Sequence, residues 1–187
     1  MTDGEDLGHV RLPSSTTSRL RRPLVLTGGP AVGKTTCGRA LASARAAAAF
    51  VDVDDVRQLV VAGAATPWRG AAGRAQMSLA ARNASALAVN FTNAGFDCVL
   101  ADVLSPETAE VYRRELSSCL VVHLRASLAE AQRRADTRRV YLTAEEFAWL
   151  HRQDSEQPPP ADLVLDVDGW SVEEQIRRIE LAWATTG

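Results

Sequence analysis

Nine residues near the front of the chain, Gly28-Gly29-Pro30-Ala31-Val32-Gly33-Lys34-Thr35-Thr36, carry the spacing G-x-x-x-x-G-K-T. That spacing suits phosphate. The glycines let backbone N–H groups close around phosphate oxygens at the N-terminus of a helix. Lys34 offers a compact cation for the β- and γ-phosphates of a nucleotide, and the Thr35 hydroxyl a ligand for magnesium. Composition singles out the same residue: of 21 lysines and arginines, Lys34 is the only lysine. Arginine replaces lysine freely on a surface, but less freely where a flexible ammonium must reach between phosphates.

Acids follow at Asp52-Val53-Asp54-Asp55-Val56-Arg57. At the carboxyl end of a parallel strand they would face the crevice where open α/β sheets bind ligands. Asp52 and Asp54 on one strand face place one carboxylate for magnesium and the other for an acceptor hydroxyl. The competing reading is that Asp54 or Asp55 caps the next helix. Asp102, at the end of a later apolar run, is a candidate for magnesium through water or for substrate. Arg57, Trp68, Arg74 and Arg82 are candidate substrate contacts. Trp68 and Arg69 lie in a glycine-rich stretch that reads either as a lid or as a core anchor. Arg74, Ser78 and Arg82 share one face of the following helix, which is either a crevice wall or a solvated surface. His123, flanked by apolar residues, reads as a satisfied core histidine. Arg133, Arg134, Arg138 and Arg139 crowd the end of a helix opened by a Ser127–Glu130 capping box. Arg134 and Arg138 lie one turn apart and are placed to grip the same phosphates, stabilising charge in a transition state.

Five short apolar segments serve as strands that position these groups: 23–27, 48–53, 96–104, 120–124 and 163–167. Helices are expected over 35–46, 56–61, 74–94 (closed by Gly95), from Ser105-Pro106, from Ser127, over 143–150 and from Ser171 to Trp183. In the long helix the expected buried stripe is Met77, Ala80, Ala84, Leu87 and Phe91. Residues 154–161 read as a proline-rich loop. Strands alternating with helices predict a three-layer α/β/α sandwich around a five-stranded parallel sheet of order 2-3-1-4-5, with a small Arg-rich lid at about 133–145. Residues 1–22 read as a polar leader, with Arg19, Arg21 and Arg22 lying against the domain of 23–187.

The chain of 187 residues has net charge −2 and 46% hydrophobic residues. One domain with a full core is expected, with no basic footprint for nucleic acid and no membrane span. Three scattered cysteines, Cys37, Cys98 and Cys119, read as buried reduced thiols of a cytoplasmic protein.

Residues 28–36, Val53 to Arg57, Ala101-Asp102, the Arg134-x-x-x-Arg138 pair and Ala161 to Asp166 together resemble small P-loop kinases of the nucleoside-monophosphate-kinase-like group. Chloramphenicol phosphotransferase, shikimate and gluconate kinases and AAA_33-type ATP-binding proteins are the most similar members. The resemblance covers roughly residues 24–182. It implies ATP and Mg2+ as cofactors, Asp54 as the group that orients or deprotonates the acceptor, Asp52 as a magnesium partner through water, and Arg138 or Arg134 as the lid cation. The Gly-Gly-Gly stretch that shikimate kinases carry after the third strand is replaced here by Asp102-Val103-Leu104. The expected activity is ATP-dependent phosphorylation of a hydroxyl on a small molecule, with an antibiotic or another secondary metabolite as the leading acceptor. The alternatives are a metabolic kinase of a sugar acid, nucleoside or nucleotide, a toxin-type kinase, and a nucleotide-dependent switch without phosphotransfer.

Overall fold

Successive residues of the first strand, β1 (Leu24–Thr27), point to opposite faces of a sheet, and both faces are covered. The computed structural model describes residues 20–136 and 142–185. After β1 come α1 (Lys34–Ser43), β2 (Ala48–Asp52), α2 (Val53–Gln58), α3 (Gly70–Asn93), β3 (Asp97–Ala101), α4 (Pro106–Glu115), β4 (Leu120–Arg125), α5 (Leu128–Ala135), α6 (Ala144–Glu156), β5 (Leu163–Asp166) and α7 (Val172–Ala184). All five strands are parallel in the order β2-β3-β1-β4-β5.

The period of two along the strands sorts the core into two layers. Leu24, Leu26, Val99, Leu120, Val122 and Leu124 meet α1 and α7, around the fully buried Trp183 and Ile179. Val25, Cys98, Leu100 and Val121 meet α2, α3 and α4, around the buried Tyr112. With both faces covered, the strands are near-continuous apolar runs, as parallel strands must be. The order places the loop after β1 between neighbours β3 and β4, where connections leave to opposite sides of the sheet and a ligand crevice opens.

Three elements depart from the sequence expectation. α2 begins at Val53, because the Asp52 side chain accepts the Asp54 N–H and caps it. α3 begins at Gly70, and Gly73 allows close packing: a Cβ there would lie 2.1 Å from the Thr66 carbonyl oxygen. α6 continues to Glu156, six residues past Leu150, and the chain breaks only before Pro158. The buried face of α3 is Ala80, Ala81, Ala84, Ser85 and Ala88, while Leu87 is 37% exposed. Small side chains face inward because they let α3 lie close against its neighbours.

Arg21 does lie against the domain. Its N–H donates to Asp97, its Nη1 pairs with Glu180, and its guanidinium sits 4.9 Å from the Trp183 ring. Arg19 and the rest of the expected leader lie outside the described residues, as do Arg138 and Arg139 of the expected lid. All three cysteines are buried and unpaired. Burial pushes the Cys37 thiol up to about 11 and the Cys98 thiol to about 12, so neither offers a thiolate at neutral pH. Among the described residues no helix is long and apolar enough to cross a membrane.

Candidate active site

The turn out of β1 has the shape its glycines predict. Gly28 takes a φ of 134°, and a Cβ there would fall 2.1 Å from the Leu124 carbonyl oxygen, so the loop presses against the end of β4. Gly33, at φ 111°, is the N-cap of α1, and Lys34 opens the helix. The first N–H groups of α1 therefore point with Lys34 and Thr35 into one cavity. Lys34 Nζ donates to the carbonyls of Gly28 and Gly29, at 2.7 Å each.

The loop is braced from beneath. Arg134 donates from Nη1 to the Val32 carbonyl at 3.1 Å, from Nη2 to the Val167 carbonyl at 2.7 Å, and from Nε to Glu130 at 2.7 Å. It thereby ties the glycine-rich loop to the segment after β5, and it does not line the cavity with Lys34. The expectation that Arg134 projects over the phosphates is corrected: two backbone carbonyls and a carboxylate hold the whole guanidinium fork in place. Its proposed companion Arg138 lies outside the described residues. His151 of α6 braces the loop from another side, its Nε2 donating to the Pro30 carbonyl at 2.8 Å. Burial holds this imidazole below its ordinary value and the Lys34 charge adds to that, opposed by the Pro30 contact and Asp154. The sequence reading missed His151, because only the overrun of α6 brings it to the loop.

Asp52 and Asp54 do not share a strand face. The strand ends at Asp52, and the chain turns into α2 with Asp52 as cap. The functional pairing is better for it. Thr35 Oγ1 donates to Asp52 Oδ2 at 3.1 Å, so the loop hydroxyl and the strand-end carboxylate stand together as hard oxygen donors. Among the described residues no three His, Cys, Asp or Glu side chains gather into a metal cage. A hydroxyl beside a carboxylate fits a hard cation that takes oxygen donors and keeps several waters, as magnesium does. Asp54, one helical position on, has a side chain 69% exposed and faces the cavity.

Behind Asp54 runs a charged chain into the core. Arg57 Nη2 donates to Asp54 Oδ1, and Arg57 Nη1 donates to Asp102 Oδ1 at 2.9 Å. Asp102 is almost fully buried, and it also accepts the Val103 N–H at 2.8 Å and the Tyr112 hydroxyl at 2.9 Å. Burial lifts the Asp102 carboxyl above the usual carboxylate range, against the pull of Arg57, Tyr112 and Val103. Burial likewise opposes the Arg57 charge, but Asp102 and Asp54 outweigh it and push its pKa above the ordinary value. Both Asp102 oxygens face protein donors. The residue stands behind Arg57, not open to a metal or a substrate as expected.

Two cavities meet beside this chain. The first, of about 440 Å³, is lined by Gly33, Lys34, Thr35, Asp54, Arg57 and Trp68 among others. The second, of about 310 Å³, reaches toward the start of α4 and includes Arg74, Glu107, Trp149 and Gln153. Trp68, Met77, Val103 and Leu150 line both and form the waist between them. Of the candidate substrate contacts, Asp54, Arg57, Trp68 and Arg74 are thus brought together. Arg82 is exposed on α3 and lines none of these walls. His123 is a satisfied core histidine as expected: 1% exposed, with Nε2 at 3.0 Å from both Asp154 oxygens. Met77, placed by its spacing in the core stripe, and Trp149, given no role, are wall residues that the sequence did not reveal.

No family model matches the chain, and no curated protein matches it. Solved structures do. A sugar kinase from Janibacter sp. HTCC2649 superposes with TM-score 0.70 at 20% identity, covering 89% of this chain and 96% of that one. A gluconokinase from Sinorhizobium meliloti 1021 gives 0.64 at 17%, covering 89% and 94%. The tunicamycin resistance protein of Deinococcus radiodurans gives 0.60 at 11%, covering 86% and 94%. At these identities the likeness is one of fold, shared with a sugar kinase and a gluconokinase among others.

Proposed function

We propose that the chain is an ATP- and magnesium-dependent kinase that transfers the γ-phosphoryl group to a hydroxyl of a small molecule. The observation that carries this reading is a single cavity lined both by Gly33, Lys34 and Thr35 and by the exposed carboxylate of Asp54. A phosphate site alone would serve a switch. A phosphate site sharing one cavity with a carboxylate serves transfer.

The residues divide the work. Loop amides and Lys34 hold the β- and γ-phosphates, and Lys34 exchanges its loop carbonyls for phosphate oxygens. Thr35 and Asp52 would hold the magnesium ion, which would supply positive charge against the phosphates. Asp54 orients the acceptor hydroxyl and takes its proton as the new O–P bond forms and the bond to the β-phosphate oxygen breaks, releasing ADP. A loose transition state demands little base strength, so Asp54 works mainly by position. Arg57, gripped by Asp102, fixes that position. Arg138 is the lid cation for the migrating phosphoryl group, by resemblance to the small kinases, and closure of that lid would exclude water.

The acceptor we favour is an antibiotic or another secondary metabolite, supported by the shared fold with a tunicamycin resistance protein. A sugar acid is the competing metabolic acceptor, supported by the gluconokinase. Three buried, unpaired cysteines fit the reducing cytoplasm. The test is ADP release with ATP and Mg2+ across hydroxylated antibiotics, nucleosides and sugar acids, with mass spectrometry for a phosphate-sized gain. An acceptor-dependent gain that vanishes in Asp54→Asn supports the reading. Tight ATP binding with no acceptor-stimulated ADP release overturns it in favour of a switch.

A further inference from the structure

We infer that the acceptor carries a flat apolar ring, seated on a wall made by Trp68 and Trp149, with its hydroxyl passed through the waist to Asp54. This deepens the kinase reading and rests on it. The route from the second cavity to Asp54 runs past Trp68, Met77, Val103 and Leu150, whose side chains offer a hydroxyl no acceptor stronger than the Met77 thioether. A polyhydroxylated body in that passage would leave polar groups unpaired. An apolar ring meets no such cost and gains dispersion against both indoles.

The indoles are arranged for this. Trp68 comes from the connection between α2 and α3 and Trp149 from α6, yet their ring centroids lie 6.2 Å apart with planes tilted 40°. The two indoles pack on one another at a tilt, and both are half-buried on the wall of the second cavity. The placing of Trp68 is built in. Gln76 donates to the Gly63 carbonyl at 2.7 Å and accepts the Ala65 N–H at 2.9 Å, while Gly73 admits the Thr66 and Pro67 backbone. Four contacts outside the site thus hold one tryptophan at the waist.

Charge argues in the same direction. Arg57, the cation beside Asp54, is engaged by Asp54 and Asp102 and does not select an acidic acceptor. In the second cavity Arg74 and Glu107 bring one charge of each sign, and Asp154 is bonded to His123. With Ser105, Thr108, Gln153 and Gln157 as neutral neighbours, the second cavity carries no net positive charge to select a carboxylate.

Calorimetric titration without nucleotide tests the inference, using 2-(2-naphthyl)ethanol, glucose and gluconate. The naphthyl alcohol should bind at least tenfold more tightly than either compound without an aromatic ring. Trp149→Leu and Trp68→Leu should each weaken it severalfold, whereas Trp149→Phe, which keeps a ring, should retain most of the affinity. Binding of gluconate or glucose as tight as the naphthyl compound, or full naphthyl affinity in both leucine variants, overturns the inference. So does an absence of naphthyl binding. Because these titrations contain no ATP, they succeed or fail apart from the kinase reading, which ADP release judges.

Discussion

Arg57 and Asp102 form an ion pair at 2.9 Å across 45 positions of sequence, joining a short surface helix to the end of a central strand. The pair is what turns a mobile surface acid into a positioned one, because the other arm of the guanidinium holds Asp54. Tyr112 anchors the far end from within the core. On the proposed kinase reading, the position of the acceptor-facing carboxylate is set by a residue that does not line the cavity.

Removing the anchor should separate positioning from fold. Tyr112→Phe leaves one Asp102 oxygen without its buried donor and should cost about 1–3 kcal/mol of stability. Asp102→Ala leaves the Arg57 charge half-compensated and should cost more, about 3–5 kcal/mol. In Tyr112→Phe, still folded, turnover should fall while ATP affinity stays constant. An equal loss in both would make Tyr112 a purely structural residue.

Asp54→Asn should keep ATP binding and lower transfer by on the order of a hundredfold or more. Lys34→Ala should abolish transfer and weaken nucleotide binding. Single-turnover phosphate transfer with titrated ATP reads both. Retained turnover in Asp54→Asn removes that carboxylate from the mechanism.

Arg134 and Arg138 should behave differently. Arg134 braces Val32 and Val167, so Arg134→Ala should lower the melting temperature and ATP affinity together. Arg138→Ala should lower turnover more than ATP affinity. A pure turnover loss in Arg134→Ala would return that residue to the phosphates.

His151 predicts a pH dependence. Burial depresses its pKa in the fold below the ordinary 6.5, so the unfolded chain binds more protons just below that pH. Its contribution is therefore fully present above about pH 6.5 and is lost as pH falls through the folded value. Protonation would also place a second charge close to Lys34. Melting curves from about pH 8 to 5 should show this loss, and His151→Gln should flatten that part of the profile.

What the sequence revealed was what is local. The glycine-rich turn, the apolar strands, the order of the sheet, the N-cap at Ser127 and the capping box at Thr143 depend on neighbours within a few residues, and each is where the pattern places it. The reciprocal half of the expected Ser127 box is missing, because the Ser127 N–H donates to Asp168 and Glu130 holds Arg133 and Arg134. Asp52 was misread as a strand-face acid because alternation does not show where a strand stops; its own side chain stops it. The length of α6 was hidden in the same way. A polar stretch from Asp154 looks like a loop until His123 is seen to bond that acid from a strand thirty-one residues earlier. Asp102 behind Arg57, and Trp149 beside Trp68, join segments far apart in the chain. No window of sequence displays such pairs.

The fold of Lys34 onto the Gly28 and Gly29 carbonyls carries a practical consequence. It is the only side-chain amine in the chain, so an acylating reagent has one lysine to find. That lysine sits where nucleotide phosphates would shield it. Acylation at Lys34, separated from the terminal amine by peptide mapping, would then fall as the loop fills. The native protein thus carries its own occupancy reporter, readable by mass without any engineered label.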